Sequence, residues 1–195
     1  MLRVLSALTC ALLLSGCGTT AVGLKYAPGG NVAAIRTSAL PVSVGSFTDQ
    51  RGEPANWLGA IRGGFGNPLK NLESDRPVST LVQDAFAEGL KARGVKADPS
   101  ASSYQITGVI KKLDCNQYVR REANAEIEVS VIARASGQVS FTRTYVASNI
   151  DGSAMSLSTG IFASVEDLRA VTEKTLRDVV DKALDDSALR AAMQL

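Results

Sequence analysis

Cys17 is the residue whose chemistry is most specifically written into its surroundings. It closes the tetrapeptide Leu14-Ser15-Gly16-Cys17: a leucine, two small residues and a cysteine. This is the lipobox pattern, at which a bacterial precursor is acylated on the cysteine thiol and then cleaved just before it. Upstream stand Arg3, a short positive region, and an apolar run from Val4 to Leu14. These are the parts of a secretory signal. The run is too short to span a membrane, which takes about 20 apolar residues. Residues 1–16 are therefore expected to be removed, and Cys17 to carry acyl chains that anchor the chain to a membrane.

The rest of the chemistry is bounded by what is missing. The sequence has no histidine. That removes Ser-His-Asp and Cys-His nucleophilic mechanisms and histidine-based zinc sites. Asp49, Glu53 and Asp114 could serve carboxylate chemistry, but nothing in their spacing pairs them. The glycines of Arg62-Gly63-Gly64-Phe65-Gly66-Asn67-Pro68 lack the Lys-Ser/Thr ending of a phosphate loop and read as a turn. No enzyme activity, cofactor or metal is expected. Of the three cysteines, Cys10 leaves with the signal and Cys17 is acylated, so Cys115 has no disulfide partner within the chain. A lone thiol in an oxidising compartment is safest buried, and Cys115 reads as a small core hydrophobe.

Charge narrows the partners. Lys and Arg number 21 against 19 Asp and Glu, a net charge of +2. Losing Arg3 with the signal leaves +1. Such a balanced surface argues against a nucleic-acid partner, which would need a concentrated basic face. Lys111-Lys112 and Arg120-Arg121 read as solvated strand ends.

Two places read as contact surfaces. Asp49 and Arg51 share side-chain parity at a strand end, where carboxylate and guanidinium can brace the following loop or meet a partner. That loop carries Trp57, Arg62 and Phe65, and aromatics among glycines suit an interface anchor. A second patch places Met155, Leu157, Ile161 and Phe162 among serines and glycines, as contact or as core.

These residues must be held by a scaffold, and its elements are legible in outline. Residues 17–39, small and polar, read as the lipidated N-terminus and a flexible tether. About 22 such residues span roughly 25 Å. Residues 40–195 fall in the size range of one globular domain. Alternation gives a first strand over 40–47, and residues 48–76 read as a long loop in which Trp57 to Ile61 form a strand-like stretch. Helical spacing of Val78, Leu81, Val82, Ala85, Phe86 and Leu90 predicts a helix over 77–93, with Gly94 as its stop.

Three strands follow. The first, 104–115, changes apolar parity near Gly108, which predicts a bulge there and puts Val109, Leu113 and Cys115 on one face. The second, 126–134, and the third, 139–149, pair through Ala135-Ser136-Gly137 with Gly137 in the left-handed region. Val131 then lies opposite Phe141 and Ile127 opposite Tyr145. A last helix over Val165–Leu184 starts at Ser164 with Asp167 in capping-box position, and buries Leu168, Thr172, Leu176, Val179, Val180 and Ala183. Leu189, Ala192, Met193 and Leu195 form an amphipathic tail. The sum is an α+β two-layer sandwich, β-α-β-β-β-α: a mainly antiparallel four-stranded sheet with two helices on one face.

Several of these segments carry a resemblance. The lipobox, Phe47-Thr48-Asp49-Gln50-Arg51, Leu58-Gly59-Ala60-Ile61-Arg62, Glu88-Gly89-Leu90, Ile127-Glu128-Val129-Ser130-Val131 and Asn149-Ile150-Asp151-Gly152 together resemble the YajG-type lipoproteins. The likeness runs over most of residues 40–186, and an insertion around residues 63–74 departs from it. It implies an outer-membrane lipoprotein facing the periplasm, akin in fold to TolB N-terminal and penicillin-binding-protein-activator lipoprotein domains. By likeness to bacterial lipoproteins in general, the lack of Asp at position 18 implies delivery to the outer membrane. The function expected is non-catalytic binding in envelope maintenance through contacts with another protein. The alternative is an accessory lipoprotein of lipid or lipopolysaccharide transport, which would need a continuous apolar cleft between sheet and helices.

Overall fold

Period-two burial runs the length of the central strands: along Arg121–Ala133, every second residue up to Ile132 is buried and those between are half-exposed. One face of a sheet is therefore covered and the other meets water. The computed structural model describes residues 18–30, 32, 34, 35, 41–95, 98, 100–152 and 164–195. Residues 1–16, Leu40, the lipidation residue Cys17 and the patch Met155, Leu157, Ile161 and Phe162 lie outside the described residues.

The strands are β1 (Gly18–Val22), β2 (Val42–Asp49), β3 (Trp57–Arg62), β4 (Pro68–Ser74), β5 (Tyr104–Gln117), β6 (Arg121–Ala133) and β7 (Gln138–Asp151). The described helices are α1 (Val78–Ala92), α2 (Val165–Leu184) and α3 (Ser187–Ala192). The sheet has seven strands in the order β1-β4-β3-β5-β6-β7, with β2 also on β5. It is mixed: β1 runs parallel to β4, and β2 and β3 parallel to β5. The expected four-stranded, mainly antiparallel sheet holds only for the β5-β6-β7 meander.

Three differences explain the enlargement. Residues 48–76 are not a loop but contain the antiparallel hairpin β3–β4. In β3, Leu58, Gly59, Ala60 and Ile61 are all buried, the pattern of a strand covered on both faces rather than an alternating one. Gly59 is required there, because a Cβ at that position would stand 1.5 Å from the Cys115 carbonyl oxygen. Second, Gly18–Val22, read as tether, is an edge strand on β4. The chain beyond it crosses the helices, with Leu24 buried and Tyr26 Oη donating to Asp181 at 2.6 Å. Third, the tail forms α3 and packs inward, burying Leu189 and Met193.

β5 organises the rest. β2 pairs with its first half, from Tyr104 to Ile110, and β3 with its last residues, Cys115 to Gln117. The two short strands therefore lie end to end along one long neighbour. The register break of β5 against β6 falls between Ile110 and Lys112, not at Gly108. Val109 consequently lies on the other face from Leu113 and Cys115, which are buried. Gly108 has a packing role: a Cβ there would meet the Phe47 ring at 2.6 Å. Phe47 in turn stacks on Phe86 of α1, with ring centroids 4.9 Å apart.

The helices follow their sequence patterns. Pro77 precedes α1 and Gly94 follows at φ 79°, in the left-handed region. The Ser164 side chain accepts from the Asp167 amide at the start of α2, and the six expected core residues of α2 are buried. Val131 opposes Phe141 and Ile127 opposes Tyr145 as expected, but the connection is not the three-residue Ala135-Ser136-Gly137. The register shifts after Val131, Ala133 pairs with Gln138, and Arg134 to Gly137 form the turn, with Gly137 at φ 68°.

Candidate functional site

The corner between β2 and β3 is where the sequence placed a charged pair, and its geometry follows from the break along β5. β2 ends at Asp49, and the Gln50 amide makes a last bond to the Ile110 carbonyl at 3.0 Å. Beyond it the β5 backbone loses its strand partner until Cys115. Arg51 fills that gap. Its Nη1 donates to the Leu113 carbonyl of β5 at 2.9 Å and to the Trp57 carbonyl at 2.7 Å. Nε and Nη2 meet the two oxygens of Asp49 at 2.9 and 2.8 Å. This is the two-pronged pairing a guanidinium makes best.

The Arg51 side chain is only 3% exposed, and Asp49 19%. Burial pulls the Asp49 carboxyl upward, but the hydrogen bonds and charge of Arg51 outweigh it and hold the group below its ordinary value. Both residues thus have partners inside the molecule, and the pair joins two strands as a ladder bond would.

Around this brace lies a cavity of about 260 Å³, lined by Glu53, Trp57, Lys111, Lys112 and Asp114 with Arg51 and Leu113. Trp57 is half-buried at the start of β3. Asp114 is drawn sideways by a bond from the Asn124 amide. The basic pair Lys111-Lys112 projects at the β5 bulge, where Lys111 meets Glu128 at 2.7 Å. Lys112 lies 3.7 Å from Asp114, so cations and carboxylates are interleaved in the lining.

Arg62 and Phe65 belong to a different place, at the other end of β3, about 17 Å from Trp57 at a rise of roughly 3.3 Å per residue. Arg62 holds the β3–β4 turn by donating to the Gly66 carbonyl at 3.2 Å and to Asn116. Phe65 at the tip of that turn is fully exposed. The β5–β6 turn lies beside it, with Tyr118 Oη donating to the Gly64 carbonyl at 2.8 Å. The six expected contact residues therefore do not form one surface. Asp49, Arg51 and Trp57 share a corner, Arg62 and Phe65 share a tip, and Phe162 lies outside the described residues.

Sequence reasoning missed two groups. One is Arg93, fully buried at the end of α1, with its guanidinium on Asp181, Asp185, the Gly89 carbonyl and Tyr26. Burial and the Asp181 carboxylate push the Tyr26 hydroxyl up to about 12. The other is the exposed apolar company of Phe65, namely Leu69, Tyr118 and Val119. The dipeptide Tyr118-Val119 between polar neighbours was the available signal, but only the β3–β5 pairing brings it to Phe65. Cys115 is buried as expected, and desolvation raises its thiol to about 11.

Comparison with known proteins adds family and fold. A family model described as an uncharacterized lipoprotein matches residues 33–194. No curated protein matches the sequence. A crystal structure of a Xanthomonas campestris protein is similar at a TM-score of 0.61 and 15% identity, over 85% of this chain and 92% of that one. A second crystal structure, of an uncharacterized protein, is similar at 0.57 and 8% identity, over 90% of this chain and 98% of that one. At such identities the likeness is one of fold.

Proposed function

The chain belongs to that family of uncharacterized lipoproteins, and from this premise we propose that it is an outer-membrane-anchored, periplasm-facing protein. On this reading it docks another envelope protein and catalyses no reaction. Acylated Cys17 supplies the anchor. The observation that carries the docking reading is strand β7. It is 14 residues long, and among the described residues no strand pairs with its outer edge. It also exposes Val139, Val146 and Ile150, each at least half open to solvent.

A long edge strand bearing apolar side chains is a template on which an extended segment of another chain can add main-chain hydrogen bonds. Lys182 guards part of that edge, donating to the Val146 carbonyl at 3.2 Å, as charged residues do on edges kept from promiscuous pairing. The centre of the space between sheet and helices is occupied by Phe47, Phe86, Leu81, Ile106, Leu168 and Leu176, all buried. A cavity of about 340 Å³ between the end of β7 and α2 is lined by Asn149, Asp151, Asp167 and Lys174 as well as by Ile150 and Val171. A filled core favours docking over acyl-chain carriage.

The test is site-specific photo-crosslinking in intact cells, with the probe at Val146 and a control probe at Thr80 on the exposed side of α1. A discrete protein adduct from Val146 and none from Thr80 is expected. Adducts to lipid alone from Val146 would move the reading to transport; no adduct from Val146 would sink the β7 surface.

A further inference from the structure

Seven large apolar side chains are exposed among the described residues, and they sort into two groups. Three lie along β7. The other four lie at one end of the sheet: Phe65 on the β3–β4 turn, Leu69 at the start of β4, and Tyr118 and Val119 on the β5–β6 turn. The two turns are joined by the Tyr118–Gly64 hydrogen bond, so the four side chains form one protruding tip. Apolar residues gathered at a protrusion mark a contact with something apolar.

The register of β1 identifies what that is. Gly18 pairs in parallel with Lys70, two residues past Pro68 where β4 leaves the tip. Paired strands lie about 4.8 Å apart, and consecutive Cα atoms are about 3.8 Å apart. Covalent geometry therefore keeps Cys17, the residue before Gly18, within reach of the tip. The geometry points to the tip as a membrane-contacting surface: Phe65, Leu69, Tyr118 and Val119 enter the leaflet that holds the acyl chains of Cys17. This inference rests on the reading of Cys17 as the acylated residue.

Charge around the tip fits a lipid surface. Arg62, Lys70 and Arg120 stand on its flanks; the carboxylates at this end are Glu122, which Arg120 approaches at 3.8 Å, and Asp151 and Asp167, both paired with Arg121. Apolar side chains at the centre with cations at the rim match acyl chains beneath anionic headgroups. An aromatic hydroxyl, that of Tyr118, sits where such rings lie at the headgroup level. The alternative of a protein partner at the tip would require it to squeeze between the domain and the bilayer, against a leash of one residue.

The experiment uses the full-length lipoprotein, purified from membranes and reconstituted into phosphatidylethanolamine–phosphatidylglycerol vesicles. An environment-sensitive fluorophore is placed on Phe65→Cys at the tip and separately on Val139→Cys at the far end of the sheet. Cys115 is buried and stays unlabelled. With spin-labelled lipid as quencher, quenching at position 65 is expected to exceed that at 139 by at least about twofold, as for side chains seated in the headgroup and acyl boundary. Equal quenching, or quenching at 139 alone, on vesicle-bound protein would overturn the inference. Intact mass reports acylation of Cys17 separately. If that mass shows no lipid, the chain from Cys17 onward is coupled through Cys17 to maleimide lipid. A fluorescent amino acid then takes the place of the cysteine at 65 or 139, so that no second exposed thiol competes, and the same comparison decides the tip.

Discussion

At the scale of the residue, Arg51 is the most consequential side chain outside the hydrophobic core. A guanidinium 3% exposed cannot be left without its carboxylate, nor the carboxylate without it. Removing one member of a buried pair generally costs about 3–5 kcal/mol, because the other remains as an uncompensated charge. Arg51→Ala is accordingly expected to lower unfolding free energy by about 3 kcal/mol, since it also frees the Leu113 and Trp57 carbonyls. Urea titration followed through Trp57, the sole tryptophan, reads this directly.

The pH dependence has a definite sign. The Asp49 carboxyl is held below 3.8 in the folded state. Its contribution is therefore complete above the unfolded value and lost as pH falls through the folded one. Asp49→Asn is expected to weaken the protein at neutral pH, with the gap to the parent closing below about pH 4. A gap that stayed constant down to acid would mean that the charge contributes nothing.

At the scale of the element, legibility followed how far a pattern depended on its own residues. The helices declared themselves: the stripe Leu168, Thr172, Leu176, Val179, Val180 and Ala183 and the Ser164 cap are local facts. So was the β6–β7 hairpin, since Gly137 and the facing apolar residues fix its register. β1 was obscured because its partner β4 is distant in sequence, and β3 showed only as a strand-like stretch because the β5 neighbour that buries it lies far along the chain. Thr19, Thr20 and Ala21 have the composition of a tether and become a strand only because β4 offers an open edge. Asp49 and Arg51 were legible as a pair, yet their role as a substitute for strand pairing needed the β2–β5–β3 arrangement.

The segment after β1 provides a sharp test of this point. Leu24 is 1% exposed and belongs to the core. Leu24→Ala is expected to destabilise the domain by about 2–5 kcal/mol, the cost of emptying a leucine-sized site. A residue in a true tether would change stability by no more than about 0.5 kcal/mol. Thermal or urea unfolding of the two proteins side by side distinguishes a bound strap from a leash.

At the scale of the whole molecule, β1 turns the position of the anchor into an orientation. Its first residue lies by the apolar tip, and Arg121 pairs with Asp151, so β7 also ends near the tip. β7 starts at the opposite end, and 14 residues at about 3.3 Å each give it a length of roughly 45 Å. With the tip seated in the leaflet, the exposed edge of β7 leads away from the membrane and is free to meet a partner in the periplasm. Val139 and Val146 of the docking edge thus stand away from the membrane contact, while Ile150, opposite Glu122, lies at the tip end of β7.

This arrangement depends on the shortness of the link between acyl chains and sheet. Two weak attachments reinforce one another only while the second is held at high local concentration by the first. Inserting about 20 Gly and Ser residues between Cys17 and Gly18 would extend the link to an r.m.s. span of roughly 25 Å. The protein should remain on the vesicles through its acyl chains, while lipid quenching of a fluorophore at position 65 falls relative to the parent. Unchanged quenching would show that Phe65, Leu69, Tyr118 and Val119 hold the tip in lipid by their own burial, and that β1 fixes the fold but not the posture.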